Sequence, residues 1–242
     1  MTSERRAAGL LVWIAVVASM LVPQSATGTP NYFPLEPGLF WMYEGTGGYE
    51  ETMYVFGTRT LLGELVTVMG FSNSTSNEPL KNYWRRAEDG DVLLCGFFRD
   101  EDGGWGVAYD PPIRWVDAPV VLGATWACTT QVYELPGMVP ADVMVLEYTV
   151  WSDGTLSLPS GDFPTVGIGF ADPWTAETRL RGCTPDGRVA SSRSGPDRWL
   201  CDWVGLVQYD ADDLYQLWYW GMSPVEPQTW ARVKMLYRGS GA

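Results

Sequence analysis

Apolar and polar side chains alternate along much of this chain with a period of two. Between Met144 and Val150, the residues Met144, Leu146, Tyr148 and Val150 fall on one face and Val145, Glu147 and Thr149 on the other. Such alternation predicts a half-buried β-strand. Near the C-terminus, Val233, Met235 and Tyr237 alternate with Arg232, Lys234 and Leu236. Between Leu214 and Trp220, the residues Leu214, Gln216, Trp218 and Trp220 share a face opposite Tyr215, Leu217 and Tyr219. Large rings on both faces predict a strand covered on both sides. No segment beyond the N-terminal region sustains the 3.6-residue period of a helix. Glycine and proline account for 44 of the 242 residues and cut the chain into short pieces. Asp89-Gly90, Asp153-Gly154 and Asp186-Gly187 read as hairpin turns, and Ser72–Pro79, Leu135–Asp142 and Thr184–Arg198 as longer connections. The predicted class is all-β with about a dozen strands, a curved antiparallel sheet or open barrel with little helix.

One phrase occurs twice. Tyr32-Phe33-Pro34-Leu35-Glu36-Pro37-Gly38-Leu39-Phe40-Trp41-Met42-Tyr43 contains Gly38-x-x-Trp41, and Val120-Val121-Leu122-Gly123-Ala124-Thr125-Trp126 contains Gly123-x-x-Trp126. Each is a glycine turn feeding a strand through a large ring. The repetition predicts a single domain over residues 29–242 built from two similar halves, approximately 32–118 and 119–242.

The N-terminal residues read as a leader rather than as part of the fold. Arg5-Arg6 precede an apolar run of 16 residues from Ala7 to Val22, and Ala26-Thr27-Gly28 has the small residues of a cleavage site. The run is shorter than the roughly 20 residues of a spanning helix. Residues 1–28 are therefore expected to be a secretory signal peptide, which places the protein in the periplasm or outside the cell. The remaining 214 residues carry 14 basic and 28 acidic side chains, a net charge of −14. That charge repels phosphate backbones, so nucleic acid is not an expected partner. Contact with a membrane is expected only through an uncleaved leader.

An exported chain with four cysteines predicts disulfides. Cys95, Cys128, Cys183 and Cys201 allow three connectivities, of which Cys95–Cys128 with Cys183–Cys201 is favoured because each pair lies in strand-like segments that a hairpin or meander brings together. A four-thiolate metal site lacks the C-x-x-C spacing that zinc sites use.

Further phrases accompany the repeated one. The opening Tyr32-Phe33-Pro34-Leu35 with Gly38-x-x-Trp41-x-Tyr43 is followed by the second Gly-x-x-Trp and by Pro159-Ser160-Gly161-Asp162-Phe163-Pro164-Thr165. Trp199 through Val207 is then similar to a Trp-x-x-x-x-Gly-Leu-Val type segment, with five residues between Trp199 and Gly205 and with Trp203-Val204-Gly205 where Gly-Val-Gly is usual. Together these phrases resemble a broad group of exported, largely uncharacterised bacterial envelope proteins. The resemblance implies a curved antiparallel sheet akin to the half-barrels of periplasmic lipoprotein carriers. It brings no catalytic residue with it, and this chain departs from the carriers in offering no helix to serve as a lid.

The chain contains no histidine. Ser-His-Asp and Cys-His catalysis, histidine-ligated zinc and histidine pH switches are thereby excluded. Ser-Lys catalysis would have to use Lys81 or Lys234, both in strand-like segments. Carboxylate pairs remain as a route to glycoside hydrolysis, with Glu44, Glu50, Glu51, Glu147 and Asp202 as candidates. Asp100-Glu101-Asp102-Gly103-Gly104 and Asp210-Ala211-Asp212-Asp213 gather oxygen ligands but miss the calcium-loop spacing, so no metal or other cofactor is expected.

Aromatic residues are the remaining signal. Twelve tryptophans lie beyond the leader. Trp105, Trp115, Trp199, Trp203, Trp218 and Trp220 are the candidate ligand-binding residues, on a concave face able to stack on a glycan or hold an apolar molecule. The expected function is a non-catalytic binding or interaction module of the cell envelope, whose partner is such a ligand or another envelope protein. A carboxylate-dependent glycoside hydrolase and a purely structural envelope component are the alternatives.

Overall fold

The computed structural model describes residues 30–73, 80–99, 104–170, 197–210 and 214–222. The leader, Cys183, Asp186-Gly187, Lys234, the strand expected around Val233–Tyr237 and most of both acidic clusters lie outside the described residues. The described chain forms β1 (Leu39–Gly45), β2 (Glu50–Leu61), β3 (Glu64–Asn73), β4 (Leu80–Arg86), β5 (Val92–Arg99) and β6 (Trp105–Val116). It continues through β7 (Thr125–Leu135), β8 (Val139–Leu158), β9 (Gly161–Phe170), β10 (Arg198–Cys201), β11 (Gly205–Asp210) and β12 (Leu214–Met222). Each strand pairs antiparallel with the next, and β1 pairs with β12 from Leu39↔Met222 to Gly45↔Tyr215. The all-β expectation holds, and the curved sheet bends until it closes into a complete twelve-stranded barrel.

Alternation sorts side chains between lumen and outer wall. Met144, Leu146, Tyr148 and Val150 point inward and are buried, as do Trp41 and Tyr43 on β1, Met69 on β3 and Trp84 on β4. They form one core inside the barrel. An apolar, aromatic lumen is the reverse of the polar lumen of an outer-membrane barrel. Among the described residues, no helix is long and apolar enough to cross a membrane. A second, smaller cluster of Leu61, Val66, Tyr83, Cys95 and Ala108 covers part of the outer wall. There the Arg59 guanidinium lies 5.1 Å from the Tyr83 ring centre and donates to its hydroxyl at 2.9 Å.

The lower end, where β1 begins, is sealed by the strap Pro30–Gly38. Asn31 N donates to Asp202 Oδ1 at 2.5 Å, and Trp203 N donates to the Asn31 carbonyl at 2.8 Å. Arg86 donates to Asn31 Oδ1 and, at 2.6 Å, to the Phe33 carbonyl. Burial draws the Arg86 pKa below its usual value, against the opposing charges of Glu36 and Asp202. The strap thereby drives Phe33 into the barrel. Its ring sits 4.8 Å from Trp84 and 5.0 Å from Trp115, and lies parallel to Trp41 at 6.5 Å. Gly205 makes this approach possible, because a Cβ there would stand 3.1 Å from Pro34 Cδ.

The wall is split in its lower half at two places. The β6–β7 ladder runs from Gly106↔Leu135 to Asp110↔Gln131 and stops. Pro111 and Pro112 follow, and neither has an N–H to continue it. The β11–β12 ladder covers Asp210↔Leu214 to Gln208↔Gln216 and stops likewise. Backbone groups at such splits must find other partners. Trp126 Nε1 donates to the Arg114 carbonyl at 2.9 Å and Arg198 Nη2 to the Trp115 carbonyl at 3.1 Å. At the second split, Trp41 Nε1 donates to the Val204 carbonyl at 2.5 Å, Tyr43 OH to the Leu206 carbonyl at 2.8 Å and Ser160 Oγ to the Leu217 carbonyl at 2.5 Å. Ser160 comes from the tip of the long β8–β9 hairpin.

Three expectations are corrected. Asp153-Gly154 is not a turn: both residues lie in the β8–β9 ladder opposite Val166 and Thr165, and the turn comes later, between Leu158 and Gly161. The β12 faces do not alternate throughout. Tyr43 pairs with Leu217 and Met42 with Tyr219, so Trp218 is the extra residue of a bulge and the faces exchange there. Leu217 and Trp220 consequently share the lumen side, while Trp218 and Tyr219 stand outside. Among the described residues the Cys95–Cys128 bridge is absent, and Cys95, Cys128 and Cys201 form no disulfide with one another. Cys95 belongs to the outer-wall cluster, whereas Cys128 packs against the lumenal core with β6 between the two strands. A disulfide requires its Cβ atoms to face each other at about 3.5–4.5 Å.

Candidate functional site

The lumen contains a column of rings interrupted by one cation. Phe170 stacks on Tyr148 at 5.0 Å, and Trp126 lies 5.4 Å from Tyr148. The Arg198 guanidinium sits between Tyr148 and Trp115, at 4.7 and 4.6 Å from their ring centres. Trp115 then meets Trp84 edge-on at 5.1 Å, and both touch Phe33. Strand alternation from β4, β6, β7, β8 and β9 places these rings, β10 supplies the cation and the strap supplies Phe33. Planar rings on both sides suit a guanidinium, whose faces are weakly hydrated.

Arg198 carries its own counter-ion. Its Nη1 donates to Asp197 Oδ1 at 2.9 Å. Burial raises the Asp197 pKa, and the Arg198 charge and hydrogen bond oppose that rise. A separate lumenal group joins Glu51 to three phenols. Tyr209 OH donates to Glu51 Oε1 at 2.6 Å, Tyr43 meets Tyr209 edge-on at 5.3 Å, and Tyr215 stacks on Tyr209 at 4.9 Å. Burial, reinforced by the Glu51 charge, pushes the Tyr43 and Tyr209 pKa values well above their ordinary range.

Several buried polar atoms in the lumen have no hydrogen-bond partner among the described residues. They are Asn82 Oδ1 and Nδ2, Trp84 Nε1 and Arg198 Nε. Asn82 is 0% exposed and lies between Met69 and Phe97 in the sheet. Leaving such a group unmet costs about 1–3 kcal/mol.

The six candidate tryptophans do not converge. Trp115 is in the column. Trp220 pairs with Trp41 on the lumen side and is half-buried. Trp105 lies at the upper end, where it meets the buried Phe97 edge-on at 5.4 Å and remains 45% exposed. Trp199 is half-buried on the opposite face of β10 from Arg198. Trp203 occupies the β10–β11 turn at φ 62°, and Trp218 is 54% exposed on the outer wall. The carboxylates are equally scattered. Asp202 is engaged by the strap and Glu51 by Tyr209, whereas Glu147 is exposed on β8. Glu44 and Glu50 face each other across β1 and β2, both exposed. Among the described residues, no group of three or more Cys, Asp and Glu side chains is arranged to hold a metal ion.

Sequence reasoning missed Asn82 and Arg198. Asn82 had a signal: it stands on the apolar face of Leu80, Asn82 and Trp84. Arg198 ends the loop-like run Thr184–Arg198, whose composition conceals that it opens β10.

No protein-family model matches the chain, and no curated protein matches it. Among solved structures, the chain is similar to one described as a "putative lipoprotein" from Parabacteroides distasonis, at 14% identity and a TM-score of 0.36. That likeness covers 81% of this chain and 100% of the other.

Proposed function

We propose that this protein is an exported, non-catalytic binding module of the cell envelope, with its ligand site in the aromatic lumen of the barrel. The observation that carries the reading is the column Phe170–Tyr148–Arg198–Trp115–Trp84–Phe33. Apolar walls with a few fixed polar groups are the usual makeup of a small-molecule site. The lower end is sealed by the strap, while Trp105 presents an exposed ring at the upper end. The leader-like N-terminus supports export. Ligand classes that suit such walls are apolar molecules and glycans.

The hydrolase alternative has weaker support, because Glu51 and Asp202 are engaged in structural hydrogen bonds and the facing pair Glu44 and Glu50 is exposed. A purely structural role would leave the lumen without a ligand. Titration of the protein with a lipid panel and a glycan panel, read by tryptophan fluorescence, separates the readings. Quenching or a blue shift with members of either panel is expected. A flat response to both would defeat the binding reading.

A further inference from the structure

The lumenal orphans are not randomly placed. Asn82 is flanked by Met69 on β3 and Phe97 on β5, and Arg198 by Ile168 on β9 and Tyr209 on β11. Just beyond each, the register shifts at the same step, between Tyr83 and Trp84 and between Trp199 and Leu200. β4 and β10 are six strands apart in either direction around the twelve-stranded ring. The two residues thus lie on strands directly across the ring from each other. Trp84 and Trp115 span the space between them, with Trp115 at 5.1 Å from Trp84 and 4.6 Å from the guanidinium.

We propose that Asn82, Trp84 and Arg198 form the polar anchor of a lumenal binding position for an uncharged, hydroxyl-bearing molecule. The proposal deepens the binding reading above and rests on it. The chemistry follows from which orphan atoms give protons and which accept them. Asn82 Nδ2, Trp84 Nε1 and Arg198 Nε donate, and Asn82 Oδ1 accepts. A hydroxyl does both. A carboxylate only accepts, so it would leave Asn82 Oδ1 unmet. It would also bring a charge to a place where Asp197 already neutralises Arg198 at 2.9 Å, and an uncompensated buried anion is strongly disfavoured. An ammonium would add donors where donors are already in excess. The indole faces of Trp84 and Trp115 suit the C–H surface between hydroxyls. Two sources carry this chemistry: a free sugar and the glycerol head of a neutral lipid.

The test uses the full chain and three probes: glucose, 1-oleoylglycerol, and laurate as the carboxylate control. Binding is followed by thermal shift and tryptophan fluorescence in the wild type, in Asn82→Leu and in Trp84→Phe. Trp84→Phe keeps an aromatic ring while removing the indole N–H and part of the ring surface, so it carries the test if Asn82→Leu fails to fold. One of the two neutral probes should bind, at least 10-fold more tightly than laurate, and each variant should weaken it at least 10-fold. A response to glucose assigns the sugar source and a response to 1-oleoylglycerol alone the lipid head. Laurate binding more tightly than both neutral probes would overturn the proposal. So would an Asn82→Leu protein that melts higher and binds a neutral probe unchanged, which would mean that the orphan atoms meet only water. In that last case the fluorescence response survives and the broader binding reading stands, whereas a flat response to every probe defeats both.

Discussion

Arg198 donates through Nη2 to the backbone carbonyl of Trp115 at 3.1 Å, while its guanidinium stacks 4.6 Å from the indole of the same residue. One side chain therefore reaches both the ring and the backbone of β6 at the place where β7 no longer accompanies it. Arg198→Met keeps much of the volume but removes both interactions and leaves Asp197 without its cation. Breaking one partner from a buried ion pair costs about 3–5 kcal/mol. Urea unfolding should show a loss of that size for Arg198→Met. A much smaller loss in Arg198→Met than in Arg198→Ala would mean that packing rather than charge holds the split closed.

The strap should behave as a structural plug. Phe33 is buried among Trp41, Trp84 and Trp115, so Phe33→Ala leaves a cavity bordered by three indoles. Truncations of this kind cost about 3–5 kcal/mol. Differential scanning calorimetry should record a clear fall in melting temperature. A neutral effect would show that the rest of the core holds the lower end without it.

Gly96 is irreplaceable for a local reason. Its φ is +155°, and a Cβ there would lie 2.3 Å from the Val107 carbonyl oxygen. Gly96→Ala must move β6 away from β5, an overpacking that costs about 1–3 kcal/mol. Gly48→Ala makes a suitable control, since nothing lies within 4 Å of a Cβ at that position. It should lose less than Gly96→Ala, its cost being confined to the backbone strain of φ +77°. Equal losses in the two variants would contradict the contact.

The thiols predict an alkaline limit to stability. Burial pushes the Cys95 and Cys201 pKa values up to about 11 from 9.0. The unfolded chain then releases these protons first as pH rises, so the thiols favour the folded state fully below pH about 9 and lose that contribution as pH climbs through 11. Denaturation midpoints should fall over that interval, and the fall should be shallower in Cys95→Ala. A pH-independent midpoint would contradict the burial. Non-reducing peptide mapping should also yield no peptide joining Cys95 to Cys128.

Much of the architecture was legible because alternation is a local signal. The alternation from Met144 to Val150 matches the buried face of β8, and the two Gly-x-x-Trp phrases fold into matching turns. Gly38 N donates to the Val55 carbonyl and Gly123 N to the Val150 carbonyl, both at 2.9 Å, with both glycines at positive φ. What escaped was set at long range. A bulge at Trp218 exchanges the faces of β12, and only pairing with β1 reveals it. The thiols of Cys95 and Cys128 lie in neighbouring parts of the sheet yet on opposite faces, which spacing along the chain does not encode. Asn82 and Trp84 come to lie across the ring from Arg198 only through closure of the sheet, which no local pattern encodes.

The pairing of β1 with β12 also governs when the molecule can be completed. Leu39 cannot meet Met222 until the chain has been synthesised through Met222. Until then both outermost strands display unpaired amide and carbonyl groups, the kind of edge that recruits other polypeptides. Closure across so long a sequence separation is entropically slow. Nascent copies therefore pass through a stage that is vulnerable to aggregation, and a chain lacking β12 would stay there.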